Sequence, residues 1–369
     1  MSRTSKSVRE WFRPGSVERP SIPPMEAGLR PNSRLDDSEV FVEFDGGEPD
    51  DIAVDGDGVA VSSGQTVQRL TATGAVKSQL DLGGAVTALV TSRAGDLLAA
   101  VEGRGLVRVR TDGSTDLLSG DPCLQRCVTA MAAVADGTFL VTVGSSSHSA
   151  ADWARAMVER SSSGSIVRVT DGTAELLDSG LPWPAGIAPA GADGFVVSLS
   201  FAHRVERRSL QNPRAAVSLC ENMAGYPGRL IADEEGGWWV AVPYARNRAT
   251  EIVLSEPAVA TEMVEEIRPD LWLVPCLRTE SVYQSPCQVG QIRVLGEIKP
   301  WAPARSYGLV FRCDEQGRVL ESAHSRADGN CHGATGLGTD RSGRLYAVCR
   351  GARKVLVLEE GLAAVSTRA

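Results

Sequence analysis

The stretch Met131-Ala-Ala-Val134, continuing after one residue as Asp136-Gly-Thr-Phe-Leu-Val-Thr-Val143, decides the fold, because it is one copy of a unit that keeps returning. An apolar strand runs into a turn of the Asp-Gly kind and a second apolar strand leaves it. The same unit reads Ile52-Ala-Val-Asp55 with Asp57-Gly-Val-Ala-Val61, and Val86-Thr-Ala-Leu-Val90 with Gly95-Asp-Leu-Leu-Ala-Ala-Val101. It returns as Gly186-Ile-Ala188 with Asp193-Gly-Phe-Val-Val-Ser198, Leu230-Ile-Ala-Asp233 with Gly237-Trp-Trp-Val-Ala-Val242, and Thr335-Gly-Leu-Gly338 with Gly343-Arg-Leu-Tyr-Ala-Val348. A third strand with basic residues follows, as in Thr66-Val-Gln-Arg-Leu70 and Gly105-Leu-Val-Arg-Val-Arg110. Such a unit cannot bury both faces of its sheet alone, so its copies must stack on one another. Roughly six copies about 40 residues apart fit an all-β six-bladed β-propeller, whose four-stranded blades surround a central channel. Chemistry is expected where the innermost strands enter that channel.

Working outward, Val40-Phe-Val-Glu-Phe44 precedes the first full copy and is expected to complete the last blade, closing the ring and removing an exposed edge. The propeller then occupies 38–369 as a single domain, and the Arg-, Pro- and Ser-rich tail 1–37 is expected to wrap the outside or stay mobile. The third blade carries an insertion, 145–163, between its second and third strands. Within it, 149–160 reads as a helix: Ala, Met, Glu and Arg favour one, Ser149 can cap it, and Asp152 sits near its positive end. This helix is expected to cover one mouth of the channel. A second insertion, 262–305, contains Pro269, Pro275, Pro286, Pro300 and Pro303 and is expected to be irregular apart from a short helix over 261–269. The hairpin Tyr307-Gly-Leu-Val-Phe-Arg-Cys313 and Gly317-Arg-Val-Leu-Glu-Ser322 then finishes the fifth blade.

Composition bounds the function. With 369 residues and 43% hydrophobic content there is ample core, and a net charge of −8 argues against a nucleic-acid surface. No apolar run approaches the ~20 residues needed to span a bilayer. The N-terminus lacks the apolar core of a secretory signal, so a cytoplasmic protein is expected, as a monomer or weak homo-oligomer. The eight cysteines are too sparse for a disulfide scaffold. Cys123 and Cys127, four apart, suit a local bridge or half of a metal site, but no second pair completes one, and reduced structural cysteines are expected.

Several motifs, in order, resemble the strictosidine-synthase-like family and more distantly the gluconolactonase and paraoxonase propellers. They are Phe139-Leu-Val-Thr-Val-Gly-Ser-Ser-Ser147 with its helix and Gly164-Ser-Ile-Val-Arg-Val169, then Gly180-Leu-Pro-Trp-Pro-Ala-Gly-Ile-Ala188. Gly225-Tyr-Pro-Gly-Arg-Leu-Ile-Ala-Asp233, and Tyr307-Gly-Leu-Val310 through Glu321-Ser-Ala-His324, continue the series. The likeness covers about 43–358. It implies small-molecule chemistry on the channel axis, in many relatives through a divalent cation such as calcium.

The resemblance places cation ligands where each inner strand begins. Here Asp50, after Pro49, is suited to the role, but the later positions are Thr129, Ala185 and Gly228. Alanine and glycine bring no side-chain oxygen, and one carboxylate with a hydroxyl is a poor cage for a hard dication. The metal site is therefore expected to be lost, with Asp50 as its one ligand if a cation binds. The glutamate that strictosidine synthase uses as acid/base falls at Thr335. Beside it, His332 can supply a base with a near-neutral pKa, the alternative being a hydrogen-bonded loop residue. Cys331 and His332 point to opposite faces of a strand, so no dyad is expected. His332 and Asp50 are thus the candidate catalytic pair. Thr129, His148, Trp153, Trp183, Ala185, Tyr226, Arg229 and Thr335 are the candidate substrate-binding residues. Arg229 can face an anionic substrate or pair with Asp50 or Asp51. His203 reads as structural, and His324, which ends a strand of the fifth-blade hairpin, is expected at the surface. The leading function is a metal-independent, strictosidine-synthase-like enzyme acting on a small organic molecule under the helical cap. Two alternatives stand beside it: a metal-dependent lactonase or esterase, and a non-catalytic small-molecule-binding propeller.

Overall fold

The computed structural model describes residues 27–55, 58–278 and 305–358, together with Ile22 and the backbone of 293–294 and 297–298. Most of the tail 1–26 and of the stretch 279–304 in the second insertion lies outside the described residues. Six four-stranded antiparallel sheets form the blades of a propeller. Their inner strands are Pro49–Asp55, Val86–Thr91, Val128–Ala135, Pro184–Pro189, Leu230–Ala232 and Ala334–Thr339. The last blade is completed by Glu39–Glu43, which pairs antiparallel with Lys354–Leu358. The ring is thereby closed through the two ends of the propeller sequence.

Second strands such as Leu97–Val101 and Leu345–Cys349 are buried at every position. Each faces a neighbouring blade on both sides, so the alternation of a half-exposed strand gives way to a continuous apolar run. The core lies between blades rather than within one. Ala88, Leu98 and Leu106 of the second blade meet Met131, Phe139, Val141 and Val167 of the third. Burying each large side chain there contributes about 1.5–3 kcal/mol. Fourth strands such as Val76–Asp81 lie at the rim and are mostly exposed.

At the start of the inner strands the pairing slips. Register shifts fall between Pro49 and Ile52, Val86 and Ala88, Val128 and Ala130, Pro184 and Gly186, and Ala334 and Gly336. The fifth blade does the same through Ala241, which accepts from the Gly228 N–H and donates to the Arg229 carbonyl. A bulge leaves one residue out of the ladder and re-aims it. Repeated round the ring, it turns a set of backbone carbonyls toward the axis.

Both insertions sit between second and third strands. In the third blade the expected helix is shorter than 149–160. A 3-10 turn, Ala150–Asp152, opens with a capping box between Ser149 and Asp152 and passes into α1, Trp153–Val158. Arg160 then takes a left-handed φ of 54°, and the serines that follow are poor helix formers. In the fifth blade, sequence reading missed α2, Arg248–Ser255, where Asn247 caps by accepting from the Thr250 N–H at 2.9 Å. The next helix, α3, runs Pro257–Glu266 and starts earlier than expected, with Pro257 in its first turn. Trp153, Met157, Val253, Met263 and Trp272 from these elements cluster with Trp183 and Tyr226 of the ring. The result is an apolar plug.

Candidate functional site

On the axis beneath this plug lies Arg229, projected from the start of the fifth inner strand. Its Nε donates to the Thr129 carbonyl (3.0 Å), and one terminal nitrogen donates to the carbonyls of Asp50 (3.0 Å) and Thr335 (2.9 Å). The other donates to Asp50 Oδ2 (2.7 Å) and the Thr87 carbonyl (2.5 Å). A guanidinium has five N–H donors, and five bonds are made, so none is left over for a ligand. The fifth blade is thereby tied to the first, second, third and sixth. Asp51 Oδ2 lies 3.3 Å from the Arg229 Nε and accepts the Leu89 N–H at 2.8 Å. Asp50 Oδ1 accepts from Arg350 at 2.8 Å, and Arg350 reaches Glu48 at 3.1 Å.

These carboxylates do not share one fate. Burial pushes Asp50 up, but the guanidiniums of Arg229 and Arg350 outweigh it and hold the carboxyl below its ordinary value. Asp51 lacks the second arginine, and burial pushes it up to about 6 against the pull of Arg229. Asp50 is therefore held as an anion, with one oxygen accepting from Arg229 and the other from Arg350. Gly186, kept in the otherwise altered Pro184-Ala185-Gly186 run, has its own cause. A Cβ there would run into the Gly228 carbonyl and the Arg229 Cα, so the fourth and fifth blades meet backbone to backbone at the level of the arginine.

The structure tests whether this site suits a dication. Carbonyl oxygens and two carboxylates do converge, the donor type that calcium takes. Their centre, however, is filled by the Arg229 guanidinium, and two cations cannot share it. Thr129 turns its hydroxyl to the Pro184 carbonyl (2.6 Å), and Thr335 turns its own to the Asp50 carbonyl (2.7 Å). Ala185 and Gly228 contribute no side-chain oxygen. Among the described residues no group of three or more His, Cys, Asp or Glu side chains is placed to hold a metal. The residues present do not fit the group.

Of the expected substrate-binding residues, Thr129, Arg229 and Thr335 meet on the axis with Asp50. Trp153, Trp183, Ala185 and Tyr226 meet in the plug above it, where Trp153 stacks on Tyr244 with ring centres 3.7 Å apart. His332 belongs to neither group. Its Nδ1 pairs with Ser306 Oγ at 2.8 Å and its Nε2 with the Arg326 carbonyl at 2.7 Å, so it is a hydrogen-bonded loop residue beside a polar surface cleft. This corrects the expectation of a base on the axis. Nor does His148 reach the channel. It bridges Ser145 (3.1 Å) and Glu159 (2.8 Å), binding the start of the insertion to its end. Cys123 and Cys127 are free thiols, the first exposed and the second buried in the plug.

Beyond Arg229, on the side away from the cap, the channel opens into a cavity of about 200 Å³ lined by Leu89, Met131, Ile187, Ile231 and Leu337. A second cleft, of about 310 Å³, lies on the capped face between the fourth and fifth blades. Sequence reading missed its polar floor, because Glu251 sits on α2, far along the chain from His203 and Tyr226. Arg246 grips Glu251 through both carboxylate oxygens, at 3.1 and 2.9 Å, and the Tyr226 hydroxyl donates to it at 3.4 Å.

With this geometry in hand, the fold is shared with solved six-bladed propellers. A gluconolactonase from Xanthomonas campestris is 14% identical, with 93% of this chain and 95% of that one covered and a TM-score of 0.55. The calcium-binding protein regucalcin from Agrobacterium tumefaciens is 14% identical over 84% of each chain, with a TM-score of 0.53. A streptogramin B lyase is 12% identical, covering 87% of this chain and 96% of that one, with a TM-score of 0.52. No protein-family model matches the sequence, and a comparison with curated proteins gives no match. These likenesses establish the six-bladed β-propeller fold. They bear on the gluconolactonase side of the expected resemblance, whereas the strictosidine-synthase-like side is not borne out.

Proposed function

We propose that this propeller acts on a small organic molecule without a metal ion, and that Arg229 is the resident cation of its axis. The observation that carries this reading is the guanidinium with all five donors engaged by four blades. A catalytic dication would need that space, and an arginine with no free N–H offers substrate nothing to polarise. Lactone or ester hydrolysis is the reaction class we place first, because the fold neighbours include a gluconolactonase. The condensing chemistry of strictosidine synthase is disfavoured by Thr335, whose hydroxyl is committed to the Asp50 carbonyl where that reaction calls for a carboxylate. A second reading, binding without turnover, is favoured by the plug, in which Trp183, Tyr226 and Trp272 are each no more than 3% exposed.

One experiment addresses the reading: hydrolysis of a panel of sugar lactones, γ-lactones and p-nitrophenyl esters, with and without chelator, beside elemental analysis of the purified protein. Turnover that chelator leaves unchanged, in protein free of stoichiometric metal, is the expected result. Turnover that chelator abolishes and calcium restores overturns it in favour of the metal-dependent lactonase. Absence of turnover across the panel favours the binding propeller.

A further inference from the structure

All four histidines of the chain are described, and three have both ring nitrogens occupied. His148 and His332 are bonded as given above, and His324, fully buried where the sequence reading expected the surface, is held by the Tyr307 hydroxyl (3.1 Å) and Ser322 Oγ (2.9 Å). His203 differs. Its Nδ1 lies 3.1 Å from the Gly225 carbonyl, which can only accept, so Nδ1 carries the proton and Nε2 carries the lone pair. That Nε2 is 3.8 Å from Glu251 Oε1, too far for a hydrogen bond, and the residue lines the 310 Å³ cleft on the capped face. The imidazole is neutral at ordinary pH: burial first, then the nearby Arg246, push its pKa down to about 4. Tyr226 holds the ring edge-to-face, with centroids 4.5 Å apart.

The walls and rim of the cleft restrict what can use this acceptor. Met157, Pro182, Phe201 and Leu254 supply apolar surface, and Ser161 and Arg160 lie at the mouth. The one carboxylate on the floor, Glu251, is already neutralised by the two-point grip of Arg246, so the floor offers lone pairs without a net field. We propose that this cleft is a binding site for a neutral, partly apolar molecule that donates an O–H or N–H to His203 Nε2. Its volume is at the lower end of the range for small-ligand sites, which limits the occupant to a compact ligand. The site is separate from the axis and does not depend on metal-free chemistry there.

The probe is benzyl alcohol, with toluene as the isostere without a donor and benzylamine as the charged counterpart. Each is titrated into the full chain labelled with ¹⁵N-histidine, and the ring nitrogens are followed by long-range ¹H–¹⁵N correlation. Benzyl alcohol should give a saturable shift at His203 Nε2 with His148, His324 and His332 unmoved, and should bind about tenfold tighter than toluene, the worth of one well-placed hydrogen bond. His203→Phe should erase the preference for the alcohol over toluene while leaving apolar binding. Leu254→Trp, which fills the cleft and leaves residue 203 a histidine, should abolish the shift even if the first variant does not fold. Equal binding of toluene, tighter binding of the benzylammonium ion, or shifts confined to another histidine would overturn the proposal. So would absence of any saturable shift at His203. None of these readouts depends on chelator or turnover, so the site and the metal-free reading stand or fall separately.

Discussion

Replacing Arg229 with alanine tests the resident cation directly. The truncation leaves Asp51 buried without its counter-ion and strips donors from the carbonyls of Asp50, Thr87, Thr129 and Thr335. Asp50 keeps Arg350. Removing one partner of a buried hydrogen-bonded ion pair costs about 3–5 kcal/mol, a large share of the 5–15 kcal/mol that holds a typical protein folded. At about 2.1 cal/mol/K of unfolding entropy per residue, a domain of this size shifts by roughly 1.5 °C per kcal/mol, so thermal unfolding by differential scanning fluorimetry should fall by roughly 4–8 °C. The vacated space is ringed by carbonyl and carboxylate oxygens, so the variant should gain what the parent lacks, a response to calcium. With a weak site of Kd about 0.1–1 mM, 10 mM calcium would return about 1.4–2.7 kcal/mol, while the parent should not respond. Equal stabilisation of parent and variant by calcium would refute the reasoning, because the guanidinium would not then be occupying the cation's place. A loss under about 1 kcal/mol would refute it from the other side.

The remaining expectations are quicker to check. His203 and His324 are both pushed down to about 4, chiefly by burial, from a usual 6.5. The unfolded chain therefore binds more protons between those values, and stability should fall as pH drops from 6.5 toward 4. Urea unfolding between pH 7.5 and 5 should register a loss of about 2 kcal/mol per histidine, offset in part by about 1.4 kcal/mol as Asp51, raised to about 6, takes up its proton in the folded state. A flat profile would contradict the burial of both histidines. Gly186→Ala forces the fourth and fifth blades apart at a backbone contact, and should cost about 1–3 kcal/mol by chemical denaturation despite adding one methyl group. Trp153→Ala removes the ring stacked on Tyr244 and should cost about 3–5 kcal/mol, with loss of near-ultraviolet dichroism; no change in either would show that the plug is not packed as described.

The propeller was legible because its evidence is repeated. Each copy carries an apolar strand, a turn residue with little steric choice and a second apolar strand, and six weak signals in one order outweigh the ambiguity of any one. The closing strand around Val40 was legible for the same reason, since the last copy lacked a partner. The axis was half legible. The absence of side-chain oxygen at Ala185 and Gly228 reads directly from the residues, and pairing of Arg229 with Asp50 or Asp51 stood among the alternatives. That one arginine would also gather carbonyls from four blades could not be read, because those contacts depend on bulge geometry that leaves no mark in residue type. His332 misled for a related reason: adjacency to the last inner strand says nothing about which way a loop residue turns. The cleft was illegible, since Glu251 approaches His203 only after an insertion folds back over the ring. The Asn247 cap was the one local clue to α2.

The closure of the ring also sets a timetable for the chain. Glu39–Glu43 finds its partner only when Lys354–Leu358 has been made. At about 5–20 residues per second of synthesis, the first strand waits roughly 15–60 s after it leaves the ribosome tunnel. Five blades can form in that interval, but the sixth cannot, and an unpaired strand edge is the kind of surface that recruits other chains. The waiting segment carries a glutamate at each end, Glu39 and Glu43, and both remain exposed once it is docked. Charges in those positions cost the finished blade little and repel a second copy of the same strand. In the closed ring Glu43 lies 3.6 Å from Lys354, so a carboxylate that repels a second copy of its own strand is matched by a lysine on the strand that completes the blade.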